Sequence, residues 1–365
     1  MSLINSETVL NLFSSFKKLL PQKAAETPVV QLPRVACDFG KTKIVFLEIQ
    51  KTPQAITLTK FQKIPRSTQP EKDAELLKQA FEAGAYTTNR VRISVKGQGV
   101  IIRFIQFPTM KIAELRSAVA FEVDQYIPFK SHEVVWDLHI LEENVSLAVG
   151  GTGMNVLLVA VKRDELYTMI QTFQNAGLEI EMIDVDALAS INALEFFYPE
   201  QFNSSTGILD IGTEISTLSI IHHGRPRFIR DISYGGLDIL KRLKRKLGLS
   251  HEHAMEQIEV DRQPTPEATV VLKESLGDLI SDLKVSLNYY FDQVPSAEPV
   301  KTLFIGGGGG YHPIVIETLG SQLGFSVETM QILGKFQLAN TVDAELVKKN
   351  QGLLPVTLGL CVRDK

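Results

Sequence analysis

The stretch VACDFGKTKIVFLEI (Val35 to Ile49) reads as an apolar strand, a tight turn and a second apolar strand, with Asp38 closing the first. The pattern returns at GILDIGTEISTLSII (Gly207 to Ile221), with Asp210 in the matching place. Both halves of the chain thus open on a hairpin carrying Asp-x-Gly, an internal repeat at low identity. A third segment, TLFIGGGGGYHPI (Thr302 to Ile314), is a strand running into five glycines. A duplicated α/β domain places a ligand in the cleft between its halves.

The residues at these turns suit a nucleotide and its metal. Gly40 and Gly212 stand where backbone approaches phosphate closely, and successive amides in such a turn form an anion nest. Lys41, Thr42 and Lys43 follow the first glycine, and Thr213 and Glu214 follow the second. An ammonium and a hydroxyl there hold β- and γ-phosphates. Asp38 and Asp210, facing one another, suit a Mg²⁺ that keeps most of its waters. The glycine turn, with Gly306, Gly307 and Gly308, lets an adenosine lie flat on backbone. The bland alternative is a pair of ordinary hairpin turns, where Asp and Gly are common. Neither turn matches the P-loop pattern, and no acidic residue follows the glycine run in ribose-binding context. Asp184, on the crossing between the halves, is the candidate to position water for hydrolysis, although it or Asp186 also suits a helix N-cap.

The chain has 365 residues, long for one core, so two or more domains are expected. A formal net charge of −4 gives no sign of a general nucleic-acid binder. Two cysteines, Cys37 and Cys361, give no disulfide framework and suit a reducing compartment. No apolar run is long enough for a transmembrane helix. Leu10, Phe13, Phe16 and Leu20 fall at helical spacing beside Lys17 and Lys18, the pattern of a short amphipathic helix for a membrane surface, a partner or its own domain. His222 and His223 are adjacent in a hairpin and alternate faces, which argues against joint metal ligation. His251 and His253 lack zinc-type spacing. All four read as structural or surface residues.

Between the two hairpins, Val91 to Val95 and Val100 to Phe104 read as a hairpin around Gly97 and Gly99. A helix over Ile112 to Gln125, an apolar tip at Tyr126 to Phe129, and strands over Glu133 to Leu141 and Asn155 to Val161 follow. Together they suggest a small α+β insertion.

The core AVAFEVDQYIPF followed by EVVWD, within Ile102 to Leu141, resembles the inserted subdomain of the PilM family of type IV pilus assembly proteins. LLVAVKRDELYTMIQTFQNAGLEIEMIDVDALA, ILDIGTEISTLSIIHHGRPRFIRDISYGG, LFIGGGGGYHPI and the closing VTLGLCVR extend the resemblance from about residue 33 to the C-terminus. It implies duplicated actin-like, ribonuclease H-like ATPase domains, related to the cell-division protein FtsA, with a small α+β subdomain inserted. The boundaries it implies are an N-terminal helix and linker to residue 33, and a first subdomain over 34–87 with about 179–203. The insertion then covers 88–178, the second subdomain 204–235 with about 300–365, and a mostly helical upper subdomain 236–299. By resemblance Asp38 to Lys43 is the first phosphate loop, Asp210 to Thr213 the second and Gly306 to Gly308 the adenosine motif. Lys41-Thr42-Lys43 replaces the family's usual run of Ser or Ala, and Val45 stands where a Lys is common.

The resemblance also implies ATP and Mg²⁺ as ligands and the N-terminal cytoplasmic peptide of a PilN-like membrane protein as partner, held near the insertion. Pilus motor ATPases, inner-membrane platform proteins and self-association complete the implied set, with a cytoplasmic location at the inner membrane. Three alternatives remain open: a small-molecule kinase of the same superfold, a membrane tether of the FtsA kind, and a scaffold without nucleotide.

Overall fold

Two sheets repeat one strand plan. In the first, β1 (Arg34–Phe39), β2 (Lys43–Lys51) and β3 (Ile56–Pro65) run as an antiparallel meander. β4 (Arg90–Val95) lies parallel to β1 on its other side. In the second sheet β9 (Thr206–Ile211), β10 (Ser216–His222) and β11 (Arg225–Ile232) form the meander, and β12 (Thr302–Gly306) is parallel to β9. Even the turn register repeats: Asp38 pairs with Val45 and Asp210 with Thr217, each seven residues on. The computed structural model describes residues 33–363 except 53–54, 68, 148–149, 261 and 295–296; the N-terminal amphipathic pattern lies outside them.

Burial explains the strand sequences. β1 and β2 are apolar over consecutive residues because helices or strands cover both faces, the signature of a central strand. Helices α1 (Asp73–Gly84) and α3 (Arg163–Asn175) cover one side of the first sheet, α3 through Leu166, Ile170 and Phe173. β8 (Glu179–Val185) completes the parallel part beside β4 and leads into α4 (Asp186–Phe197). After the short α5 (Pro199–Phe202) and the second meander, α6 (Gly236–Leu247), α7 (His251–Glu256), α8 (Pro266–Ser275) and α9 (Gly277–Gln293) build the helical cover of the second core. α10 (Pro313–Leu323) and β13 (Ser326–Thr329) follow β12. Among the described residues no helix is long and apolar enough to cross a membrane.

The expected hairpin over 91–104 is not formed. β4 belongs to the first sheet, whereas β5 (Val100–Pro108) pairs with β7 (Thr152–Lys162), which in turn pairs with β6 (Val134–Ser146). The two runs differ in burial: β4 is almost wholly buried and β5 half exposed, a contrast that a hairpin signal based on glycine spacing does not register. The departure from the first sheet therefore spans Val100 to Lys162, and β4 and α3, expected within the insertion, pack with the first core. Along β7, Val156, Leu158 and Ala160 face α2 (Ile112–Tyr126), while Leu157, Val159 and Val161 face the first core. Strict alternation thus fixes the insertion to the body. Gly150 and Gly151, at φ of 88° and 90°, shape the β6–β7 tip.

The C-terminus also departs from expectation. Residues after 330 return to the first half: β14 (Gln337–Leu338) pairs with the edge strand β3, and α12 (Leu354–Val362), which follows α11 (Ala344–Lys349), packs on β1, β2, β4 and α4. α4 and α12 cross so closely that a Cβ at Gly359 would lie 1.7 Å from the Ala189 carbonyl oxygen, so only glycine fits. Arg34 and Arg92 donate to the carbonyls of Cys361 and Leu360 and both reach that of Arg363, capping α12 with positive charge.

One consequence for stability is measurable. His139 on β6 has a buried Nε2 without a hydrogen-bond partner among the described residues, and burial, reinforced by Arg363, pushes the imidazole down to about 4. The unfolded chain takes up that proton near pH 6.5, so this contribution is complete above pH 6.5 and lost as pH falls toward 4. Allowing for partial exposure, it amounts to about 2 kcal/mol. His139→Gln is expected to flatten urea midpoints between pH 7 and 4.5 relative to the parent; parallel profiles would assign the acid sensitivity elsewhere.

Candidate functional site

The β1–β2 and β9–β10 turns meet across the cleft. At the first, a Cβ on Gly40 would come 2.7 Å from the Lys43 carbonyl oxygen; at the second, one on Gly212 would come 2.6 Å from that of Ile215. Each turn is drawn so tight that its backbone is bare to an incoming group. The tips touch through Thr42 and Thr213, whose hydroxyl oxygens are 3.1 Å apart, and through Lys41 and Glu214 at 3.6 Å. Gly236 and Leu237, opening α6, donate to the Gly212 and Thr213 carbonyls and hold the second tip in place. Arg66 does the same for the first: its guanidinium donates to the Gly40 carbonyl, pairs with Asp73 and lies 4.0 Å over the Phe39 ring.

Behind the tips is a cavity of about 480 Å³, reached by Asp38, Gly40, Lys41, Lys43 and Asp210 from the two hairpins. Its floor is a charge cluster. Lys96, just past the carboxyl end of β4, places Nζ 2.6 Å from Asp38 Oδ1 and 2.7 Å from Asp186 Oδ2. Asp210 is pushed up to about 7 by burial, with Asp186 and Asp38 adding to it and Lys96 and Lys43 opposing. Asp186 is raised by burial in the same way, and its Oδ1 is buried without a hydrogen-bond partner among the described residues. Burial lowers Lys43, which would lie 1.7 Å from a Cβ at Gly308 and so reaches over the glycine turn. Lys96 thus pairs with two of the three carboxylates and leaves Asp210 without an ion-pair contact among the described residues, an arrangement with room for another cation.

The glycine turn sits on the second hairpin. Gly306 pairs with Asp210, Gly309 donates to the Ile211 carbonyl, and Gly307 donates to that of Gly352. Gly307 has φ of 80°, and a Cβ there would be 2.3 Å from Asp210 Oδ1, so both conformation and space demand glycine. Gly306, Gly307 and Gly308 adjoin the cleft from behind Asp210 and are not among the residues lining its open part.

Asp184 is placed elsewhere. It is fully buried, its carboxylate accepting from the Val185 amide and Asn192 and pairing with Arg363. Asp186, two residues on, is the acid that reaches the cavity. Sequence reasoning also missed Lys96 and Arg66. A lysine directly after a wholly buried parallel strand is a readable signal, since ligands bind beyond the carboxyl ends of such strands. The apolar tip Tyr126 to Phe129 largely packs within the insertion, Ile127 in its core, Phe129 beneath Lys162. The exposed aromatic there is Phe121, at 90 %.

Two repeated sheets with a charged cleft between them and hairpin tips closing over it define an actin-like α/β protein. The fold is shared with a chain of the PilM–PilN type IV pilus biogenesis complex, at a TM-score of 0.79 and 22 % identity over 92 % of this chain and 99 % of that one. It is shared more distantly with the ethanolamine utilization protein EutJ from Carboxydothermus hydrogenoformans, at 0.54 and 14 % identity over 98 % of each chain. The family model for type IV pilus assembly protein PilM matches residues 37–365, and the chain belongs to that family. Its role is accordingly in type IV pilus assembly.

Proposed function

We propose that this protein binds ATP with Mg²⁺ in the cleft and that occupancy biases how it holds the N-terminal cytoplasmic peptide of a PilN-like membrane protein. It would thereby link the inner-membrane platform to the pilus motor. The observation that carries this reading is the convergence of two identically built Asp-x-Gly turns on one cluster of carboxylates. The residues fit the ligand. The bare turns at Gly40 and Gly212, with Lys41, Lys43 and the hydroxyls of Thr42 and Thr213, suit the phosphates. Asp38 and Asp210, with the orphaned Asp186 oxygen nearby, suit a hydrated Mg²⁺, which neutralises phosphate charge when bound. The glycine turn at Gly306 to Gly308 suits the adenosine. The partner is supported by the fold shared with the PilM–PilN complex, and the exposed α2 face around Phe121 offers it an apolar anchor.

A second reading has its own observation. Lys96 already bridges Asp38 and Asp186, a built-in cation that would let a scaffold keep its shape without nucleotide. Titration of the protein with the partner's N-terminal peptide, with and without saturating MgATP, separates the two. Coupling predicts that MgATP shifts peptide affinity by about fivefold or more. Equal affinities in both titrations would remove the coupling and favour the scaffold.

A further inference from the structure

His222 and His223 do not alternate faces as strand geometry alone would have them. His222 ends β10 and pairs with Arg225 across a two-residue turn. His223 and Gly224 occupy that turn with φ of 50° and 72°, the left-handed pair that such a hairpin requires. The left-handed residue swings the second imidazole back beside the first, ring centroids 4.0 Å apart and 32° from parallel. Both Nε2 atoms then face one carboxylate oxygen, Glu298 Oε1, at 3.4 and 3.6 Å. Glu298 belongs to the connection between α9 and β12, and its carbonyl is held by the Ser205 hydroxyl.

We infer that His222, His223 and Glu298 form a site for one divalent transition metal of the Zn²⁺ class, stapling the β10–β11 hairpin to the α9–β12 connection, at the opposite end of β10 from the cleft turn. The spacing has the right size. Zn²⁺ binds nitrogen and oxygen at about 2.0–2.1 Å, so the edge of its ligand tetrahedron is about 3.3 Å. These contacts are, by contrast, long for hydrogen bonds. His222 is 7 % exposed and its Nε2 has no hydrogen-bond partner among the described residues, an omission that a metal would repair. Pairing both rings with Glu298 as imidazolium ions would stack two like charges face to face, whereas a metal takes both rings neutral. Two imidazoles disfavour Mg²⁺ and Ca²⁺, which prefer oxygen. His223 and Glu298 are well exposed, at 63 % and 47 %, leaving the fourth position to water.

The test uses full-length protein without a histidine tag, stripped with EDTA and titrated with Zn²⁺ against a chromophoric chelator, then with Co²⁺ by visible absorption. One equivalent of Zn²⁺ is expected, with tetrahedral ligand-field bands from Co²⁺. Both exposed ligands can be changed without opening the core. His223→Ala and Glu298→Gln should each weaken Zn²⁺ binding by at least about tenfold, since even outer-shell changes cost that much. The His251→Ala/His253→Ala double variant should bind as the parent does. Absence of stoichiometric Zn²⁺ binding in the parent, or binding that survives unchanged in His223→Ala and Glu298→Gln, would overturn the site.

Discussion

Asp184→Ala is expected to destabilise the fold by about 3–5 kcal/mol, the range for breaking a buried ion pair from one side. Its carboxylate has no exposed surface and gathers Val185, Asn192 and Arg363, which come from β8, α4 and the end of α12. Removing it takes from a buried guanidinium the carboxylate it is paired with, at the seam where the C-terminus returns to the first sheet. Total stabilities of about 5–15 kcal/mol make this a large fraction. Urea denaturation reads the loss directly. Replacing both partners by apolar residues, as in Asp184→Leu/Arg363→Met, should recover part of it, because the desolvation of both charges is then avoided. A residue that merely positioned water would behave oppositely: Asp184→Ala would keep its denaturation midpoint and alter only turnover. An unchanged midpoint would therefore contradict the structural role.

The second large effect is expected at Gly40→Asp, which should lower MgATP affinity by about 100-fold or more, equivalent to about 2.7 kcal/mol. Two causes act together. The Cβ would sit 2.7 Å from the Lys43 carbonyl oxygen, so the turn must open and its amides lose their aim. The new carboxylate would also join Asp38, Asp186 and Asp210 where phosphate charge has to be accepted, repelling it at short range. Partner-peptide binding in the absence of nucleotide should survive, since α2 packs on the face of the β5–β7–β6 sheet that is turned away from the first core. Gly212→Asp should behave alike, because its turn has the same register and the same close approach. If Gly40→Asp folds and binds MgATP normally, the first turn is not a phosphate loop.

Much of this architecture was legible because it is written locally. Asp38 and Asp210 each end an apolar run, each is followed two residues later by glycine, and the structure repeats that equivalence down to strand register. The run of five glycines that begins at the end of β12 was equally plain. What escaped depends on contacts distant in sequence. Val91–Val95 and Val100–Phe104 look like a hairpin, yet only the neighbours β1, β8 and β7 decide which sheet each joins. Asp184 and Asp186 are two residues apart, and their separation into a buried pair and a cleft acid depends on Arg363 and Lys96. The histidine pair was misread for a local reason: strand alternation was carried one residue too far, into a left-handed turn.

The account rests on the cleft accepting a nucleotide in spite of the lysine already lodged among its carboxylates. Calorimetric titration of the parent and of Gly40→Asp with MgATP tests this most directly. Saturable one-site binding by the parent, lost in the variant, is the predicted result. A parent that takes up no MgATP, or a folded variant that binds it as well as the parent, would contradict the assignment.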